Sequence, residues 1–182
     1  MANKAVFFDR DGTLNVDVHY LHRIEDFRWC EGAVEAVRYC NENGYLVIVI
    51  TNQSGVARGY FPEEDVKRLH DWMNEELRRQ NAHIDAFYYC PHHERGTVPE
   101  YTKKCECRKP SPYLVEEACR TYRIDKEPSI LIGDKESDMM CAENANIRGV
   151  IYRDGSLLET LKKGLGVVVK DAEFHYARQK DL

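Results

Sequence analysis

The chain has 182 residues, 43% apolar and 31% charged, the composition of one soluble globular domain spanning 1–182 and too little length for two full-sized ones. A net charge of −5 with no basic stripe along any helix argues against a nucleic-acid partner, and the longest uninterrupted apolar run, residues 45–50, falls far short of the roughly 20 that cross a membrane. The apolar stretch ahead of Asp9 is too short for a secretory leader, so the expectation is a cytoplasmic protein with no membrane association.

The predicted elements alternate. Residues 5–8 form a strand that ends abruptly in Asp9-Arg10-Asp11-Gly12-Thr13. Residues 32–43 carry apolar side chains at helical spacing, and Gly44 stops that helix. Residues 45–50 are apolar and rich in β-branched side chains, as in a strand buried on both faces. Pro62 opens a helix that runs to about Asn81, with Glu63, Glu64 and Asp65 complementing its dipole. A strand at 85–90, a helix at 112–122 and a strand at 129–132 follow. A helix at 136–146, a strand at 149–152, a short helix at 156–163 and a strand at 167–169 complete the series. The tail 173–182 is polar and expected to fray.

Alternation of this kind predicts an α/β fold: a Rossmann-like, doubly wound, mostly parallel sheet covered on both faces. Ligands of such sheets bind outside the carboxyl ends of the strands. The unusual polar segments do follow the strands, at 9–13, 51–54, 90–93 and 133–138.

Asp9 and Asp11 sit two apart at a strand end, and Asp134 and Asp138 follow another strand. Several carboxylates converging on one crevice stay ionised only if a cation joins them, and all-oxygen ligands facing a phosphate favour Mg²⁺. A carboxylate in that setting can attack phosphorus, and a second acid nearby can give and take the proton. Thr51, with the loop amides after it, and Lys109 supply donors for the phosphate oxygens. Lys109 is expected beside Pro110 at a helix start, where amides add to its charge. Turn chemistry explains any one of these segments taken singly, but not four in order after four strands.

Seven cysteines in a chain without a leader point to metal binding or burial. Cys90-Pro91-His92 and Cys105-Glu106-Cys107 flank twelve residues, and three sulfurs with one nitrogen suit a structural, tetrahedral Zn²⁺. The zinc loop, 90–107, would pin the segment leading to Arg108 and Lys109. His93 is the competing nitrogen ligand, and a disulfide among these cysteines is the alternative. Cys30, Cys40, Cys119 and Cys141 read as small buried apolar residues.

Asp9-Arg10-Asp11-Gly12-Thr13, Thr51, Lys109 and Gly133-Asp134 with Asp138 resemble the four motifs of the haloacid dehalogenase (HAD) superfamily of phosphotransferases, over about residues 5–140. The resemblance implies Asp9 as nucleophile, Asp11 as general acid/base, Thr51 and Lys109 as phosphate ligands, and Mg²⁺ held by Asp9, the Asp11 carbonyl and Asp134. An acid at position 11 fits a phosphatase. The zinc loop resembles a subfamily that includes histidinol-phosphate and heptose-bisphosphate phosphatases. The twelve-residue gap, Cys90-Pro91-His92-His93, Thr51-Asn52-Gln53-Ser54-Gly55 and Gly133-Asp134-Lys135 resemble the heptose group more closely.

That resemblance implies a monomer without a separate cap domain, acting on a small phosphorylated sugar. Its substrate contacts would fall on Asp17, His19, Tyr20, Thr51, Asn52, Gln53, Ser54, Arg108, Lys109 and Lys135. The run Asp17-Val18-His19-Tyr20 departs from the subfamily's His-Gly-Tyr-like pattern by lacking the glycine. The same chemistry on histidinol phosphate is the nearest alternative. A non-catalytic, zinc-stabilised binding module is the alternative from another class.

Overall fold

Residues 1–167 are described by the computed structural model. Five strands are joined by helices: β1 (Lys4–Phe8), α1 (Ala33–Glu42), β2 (Tyr45–Asn52), α2 (Glu63–Arg78), β3 (Ala86–Cys90), α3 (Tyr113–Tyr122), β4 (Ile130–Gly133), α4 (Glu136–Asn144), β5 (Arg148–Ile151) and α5 (Leu157–Gly164). All paired strands are parallel, in the order β3-β2-β1-β4-β5. The chain therefore builds outward from β1 on one side, then returns past it to build β4 and β5. The crevice at the carboxyl end of β1 lies where the winding reverses, the place such sheets bind ligands.

β1 shows why its run is apolar throughout. Ala5, Val6, Phe7 and Phe8 are all fully buried. Val6 and Phe8 pack into one core with residues of α1, α2 and α5, while Ala5 and Phe7 pack into the other with residues of α3 and α4. Val47 and Val49 of β2 join the first core and Ile48 and Ile50 the second. Period-two alternation thus feeds two cores, one on each face, and fixes the register.

Several boundaries differ from the sequence-based expectations. β2 continues two residues past Ile50, because Thr51 and Asn52 pair with Tyr89 and Cys90. α2 ends at Arg78, and Asn81 takes a left-handed φ of 56°. α4 ends at Asn144. α3 begins at Tyr113, so Lys109 and Pro110 lie on the preceding loop and no helical amide flanks the lysine. A short 3-10 turn at Ile24–Asp26 was not expected. The strand at 167–169 and the tail 173–182 fall at or outside the limit of the described residues, and Val167 itself is in no element. Among the described residues, no helix is long and apolar enough to cross a membrane.

Candidate active site

β1 delivers Asp9 to the crevice, where its N–H donates to the Ile132 carbonyl at 2.9 Å. The chain then turns sharply, with the amides of Thr13, Leu14 and Asn15 all directed at the Arg10 carbonyl. Gly12 allows this twice over. Its φ is 86°, and a Cβ there would collide with the Asp134 carboxylate.

The cleft that results has a volume of about 270 Å³. Asp9, Asp11, Asp17, His19, Tyr20, Thr51, Asn52, Gln53, Ser54, Arg108, Lys109 and Lys135 line it, together with Gly55, Ser137 and Asp138. Asp134 belongs to the same place, since carboxylate oxygens of Asp9, Asp134 and Asp138 lie within 4.8 Å of one another.

Lys109 is 100 residues from Asp9 in sequence, and its side chain is 2% exposed. Its Nζ donates to Asp9 Oδ1 at 2.6 Å and to the Ile50 carbonyl at 2.8 Å, and pairs with Asp138 Oδ1 at 2.6 Å. Burial alone would lower its pKa, but the Asp9 and Asp138 charges overcome that and hold it above the usual lysine range. Burial pushes Asp9 up to about 7, against the pull of Lys109 and with a further push from Asp138. Asp138 is spoken for: besides Lys109 it accepts the Lys135 N–H at 3.0 Å, closing the first turn of α4. Asp134 Oδ1 is buried with no hydrogen-bond partner among the described residues. A cluster of three acids with one orphaned oxygen and a single shared ammonium has the donor set of a hard divalent cation.

Asp11 is held apart from that cluster. Burial would raise its pKa, but the Arg10 charge, with hydrogen bonds from Asn15, Gln53 and Arg10, takes it below the usual carboxylate value. Asn52 and Gln53, expected to meet substrate, spend their amides on the protein. Asn52 brackets the Lys109 backbone, accepting its N–H at 3.0 Å and donating to its carbonyl at 3.2 Å. Gln53 Nε2 donates to Asp11 Oδ2 and Thr51 Oγ1, both at 2.9 Å.

The mouth of the cleft is framed by residues 17–20. His19 and Tyr20 both take left-handed φ values, 58° and 56°, in the run that lacks a glycine. The Asp17 carboxylate accepts the His19 N–H at 2.9 Å and so supports the bend. The same carboxylate reaches Lys135 Nζ at 3.5 Å, bridging two loops. The Tyr20 ring meets Tyr60 edge-on at 4.7 Å. Arg108 has a buried Nη1 with no hydrogen-bond partner among the described residues.

Cys90, His92, Cys105 and Cys107 come together at the end of β3. Cys90 Sγ lies 3.7 Å from His92 Nδ1 and 3.5 Å from Cys105 Sγ, and Cys107 Sγ lies 3.3 Å from His92 Nδ1 and 3.6 Å from Cys105 Sγ. A tetrahedral ion with bonds of about 2.3 Å to sulfur has ligand atoms about 3.7 Å apart, so this cage can hold a metal ion. Hydrogen bonding from Cys90, and then from His92 and Cys105, pulls the Cys107 thiol down to about 5 despite burial, towards the ligating thiolate. His93 faces elsewhere, its Nδ1 accepting the Arg95 N–H at 3.0 Å. All seven cysteines are free thiols.

A family model described as HAD-hyrolase-like matches residues 106–170. The chain is 40% identical over 171 residues to a D-glycero-beta-D-manno-heptose-1,7-bisphosphate 7-phosphatase of Haemophilus influenzae, covering 93% of this chain and 92% of the relative. The chain belongs to the heptose-1,7-bisphosphate 7-phosphatase family.

A D-glycero-alpha-D-manno-heptose-1,7-bisphosphate 7-phosphatase of Photorhabdus laumondii is 44% identical over 144 residues, 79% of each chain. Among solved structures, the D,D-heptose 1,7-bisphosphate phosphatase of B. bronchiseptica, complexed with magnesium and phosphate, matches with a TM-score of 0.75 at 28% identity, over 88% of this chain and 86% of that one. Reasoning from sequence missed two buried residues that stand behind the candidate site. Arg10 is fully buried behind Asp11, and His70, from α2, is 4% exposed behind Arg10. The available signal was weak: an arginine set between two aspartates just past the end of a buried apolar run.

Proposed function

We propose that this chain is a magnesium-dependent phosphatase that removes the C7 phosphate of D-glycero-D-manno-heptose 1,7-bisphosphate through an aspartyl phosphate. The observation that carries the reading is the buried set of Asp9, Asp134, Asp138 and Lys109, with an unpaired Asp134 oxygen, at the carboxyl end of β1. The relatives' names supply the sugar. Asp9, Asp134 and the Asp11 carbonyl would hold Mg²⁺, which supplies charge neutralisation for the phosphate when bound.

A carboxylate oxygen of Asp9 attacks phosphorus as the bond to the C7 oxygen breaks. The Asp11 proton passes to that oxygen, and the sugar leaves as an alcohol still carrying its C1 phosphate. Asp11 then takes a proton from a water whose oxygen attacks phosphorus, releasing inorganic phosphate and restoring Asp9. Free Asp11 is ionised, and the arriving phosphate dianion, a like charge, favours its protonation. Thr51 and Lys109 bind the transferring group. Asp17, His19, Tyr20, Ser54, Arg108 and Lys135 form the wall towards the rest of the sugar, and Asn52 and Gln53 act by holding Lys109 and Asp11. Zn²⁺ on Cys90, His92, Cys105 and Cys107 fixes the loop that ends in Arg108 and Lys109.

Steady-state kinetics on both anomers of the heptose bisphosphate, beside histidinol phosphate, test the reading. The expected result is a clear kcat/KM preference for a heptose anomer. A preference for histidinol phosphate overturns the substrate assignment, and no phosphate release from any sugar phosphate with Mg²⁺ overturns the enzyme.

A further inference from the structure

Arg10 is an uncommon residue to find fully buried, and its contacts say what it does there. Its Nη2 donates to both Asp11 oxygens, at 3.0 and 3.1 Å, and to the carbonyl of Leu21 at 3.0 Å. The same atom lies 3.3 Å from Gln53 Oε1, and Nε lies 3.3 Å from Asp11 Oδ1. The other end of the fork, Nη1, meets His70 Nε2 at 3.1 Å. A guanidinium only donates, so His70 Nε2 must be the acceptor and the ring is neutral with its proton on Nδ1. The ring is itself clamped, stacked on Phe87 at 4.4 Å with 13° between planes.

We infer that His70 is a positioning residue for the phosphatase reaction: as the acceptor behind Arg10, it sets the orientation of the guanidinium that aims Asp11 at the leaving-group oxygen. The inference rests on the function proposed above and deepens it. The chain of contacts is short, and Arg10 and His70 within it are buried. The guanidinium is planar, so turning it to seek another acceptor for Nη1 also turns Nε and Nη2 away from Asp11. Asp11 is then still present but displaced from the oxygen that it must protonate. Loss of aim at this distance impairs proton transfer more than binding.

The test uses the leaving group. The C7 oxygen of the sugar needs a proton to depart, whereas p-nitrophenolate leaves from an aryl phosphate without one. His70→Phe keeps a ring against Phe87 but removes the acceptor, and His70→Gln keeps an acceptor near the Nε2 position. The expected result for His70→Phe with Mg²⁺ is a fall on the order of 10-fold in kcat on the heptose bisphosphate with KM little changed, and a smaller loss in kcat/KM on p-nitrophenyl phosphate. His70→Gln is expected to restore most of the heptose turnover. Should His70→Phe give too little folded protein, judged by thermal melting, His70→Leu is the second acceptor-free variant for the same comparison. Equal losses on both phosphates, a rise in KM alone, or a glutamine variant no better than phenylalanine overturns the inference. Wild-type protein inactive on both compounds overturns instead the phosphatase reading beneath it.

Discussion

Replacing Lys109 by Met removes one charge from a buried group of three and leaves the hydrocarbon stem in place. Asp9 and Asp138, 8% and 1% exposed at their side chains, then share the site without the ammonium that sits 2.6 Å from each. Breaking a buried pair by removing one partner costs about 3–5 kcal/mol, the residual charge being the reason. For a chain of this size that corresponds to a fall in Tm on the order of 10 °C. The melting should be done in EDTA, because a divalent cation would replace part of the lost charge. The deficit also has a pH signature. In the folded variant Asp9, pushed up by burial and by the Asp138 charge, loses the opposing pull of Lys109 and holds its proton more tightly than in the unfolded chain, where an aspartate titrates at about 3.9. Folded protein therefore binds more protons, and the variant's stability falls as pH rises above that value and recovers as pH is lowered towards it. Adding Asp138→Asn to Lys109→Met removes one unpaired charge and should regain roughly half the loss, while phosphate release stays abolished. A Lys109→Met protein as stable as wild type in EDTA at neutral pH, or one that Asp138→Asn destabilises further, would refute the charge balance described here.

Asp9→Asn should abolish phosphate release yet melt near the wild-type temperature, because Lys109 retains Asp138 and the Ile50 carbonyl; measurable turnover in that variant counts against the nucleophile. Elemental analysis should find about one zinc per chain, and Cys107→Ala should lower both zinc content and stability, since structural zinc binding is folding free energy. Zinc-free protein of equal stability would remove the metal from the loop. Gly12→Ala forces a side chain onto a residue at φ 86° and into the Asp134 carboxylate, so magnesium affinity, followed by the Mg²⁺ dependence of turnover, should weaken along with kcat. Unchanged Mg²⁺ dependence would mean that Asp134 does not hold the cation.

The order of strands and helices could be read from the chain because it rests on local periodicity: Ala5 to Phe8 is apolar at every position, since β1 feeds a core on each face. Asp9 and Asp11, and the gathering of Cys90, His92, Cys105 and Cys107, were legible for a similar reason, residue types paired at short spacing. Lys109 was expected at the same phosphate as Asp9, but its direct pairing with Asp9 and Asp138 was not legible, for it spans 100 residues and depends on the loop before α3, which Asn52 grips at the end of β2. Nor was the burial of Arg10 and His70, which sit 60 residues apart until β1 and α2 are packed together. Sequence by itself determined which groups this protein brings to its strand ends, because side-chain chemistry and period-two or helical spacing are local properties. Only the tertiary structure decided which of those groups face the cleft and which hold another in place, because hydrogen-bond partners are set by strand order, register and the packing of distant elements.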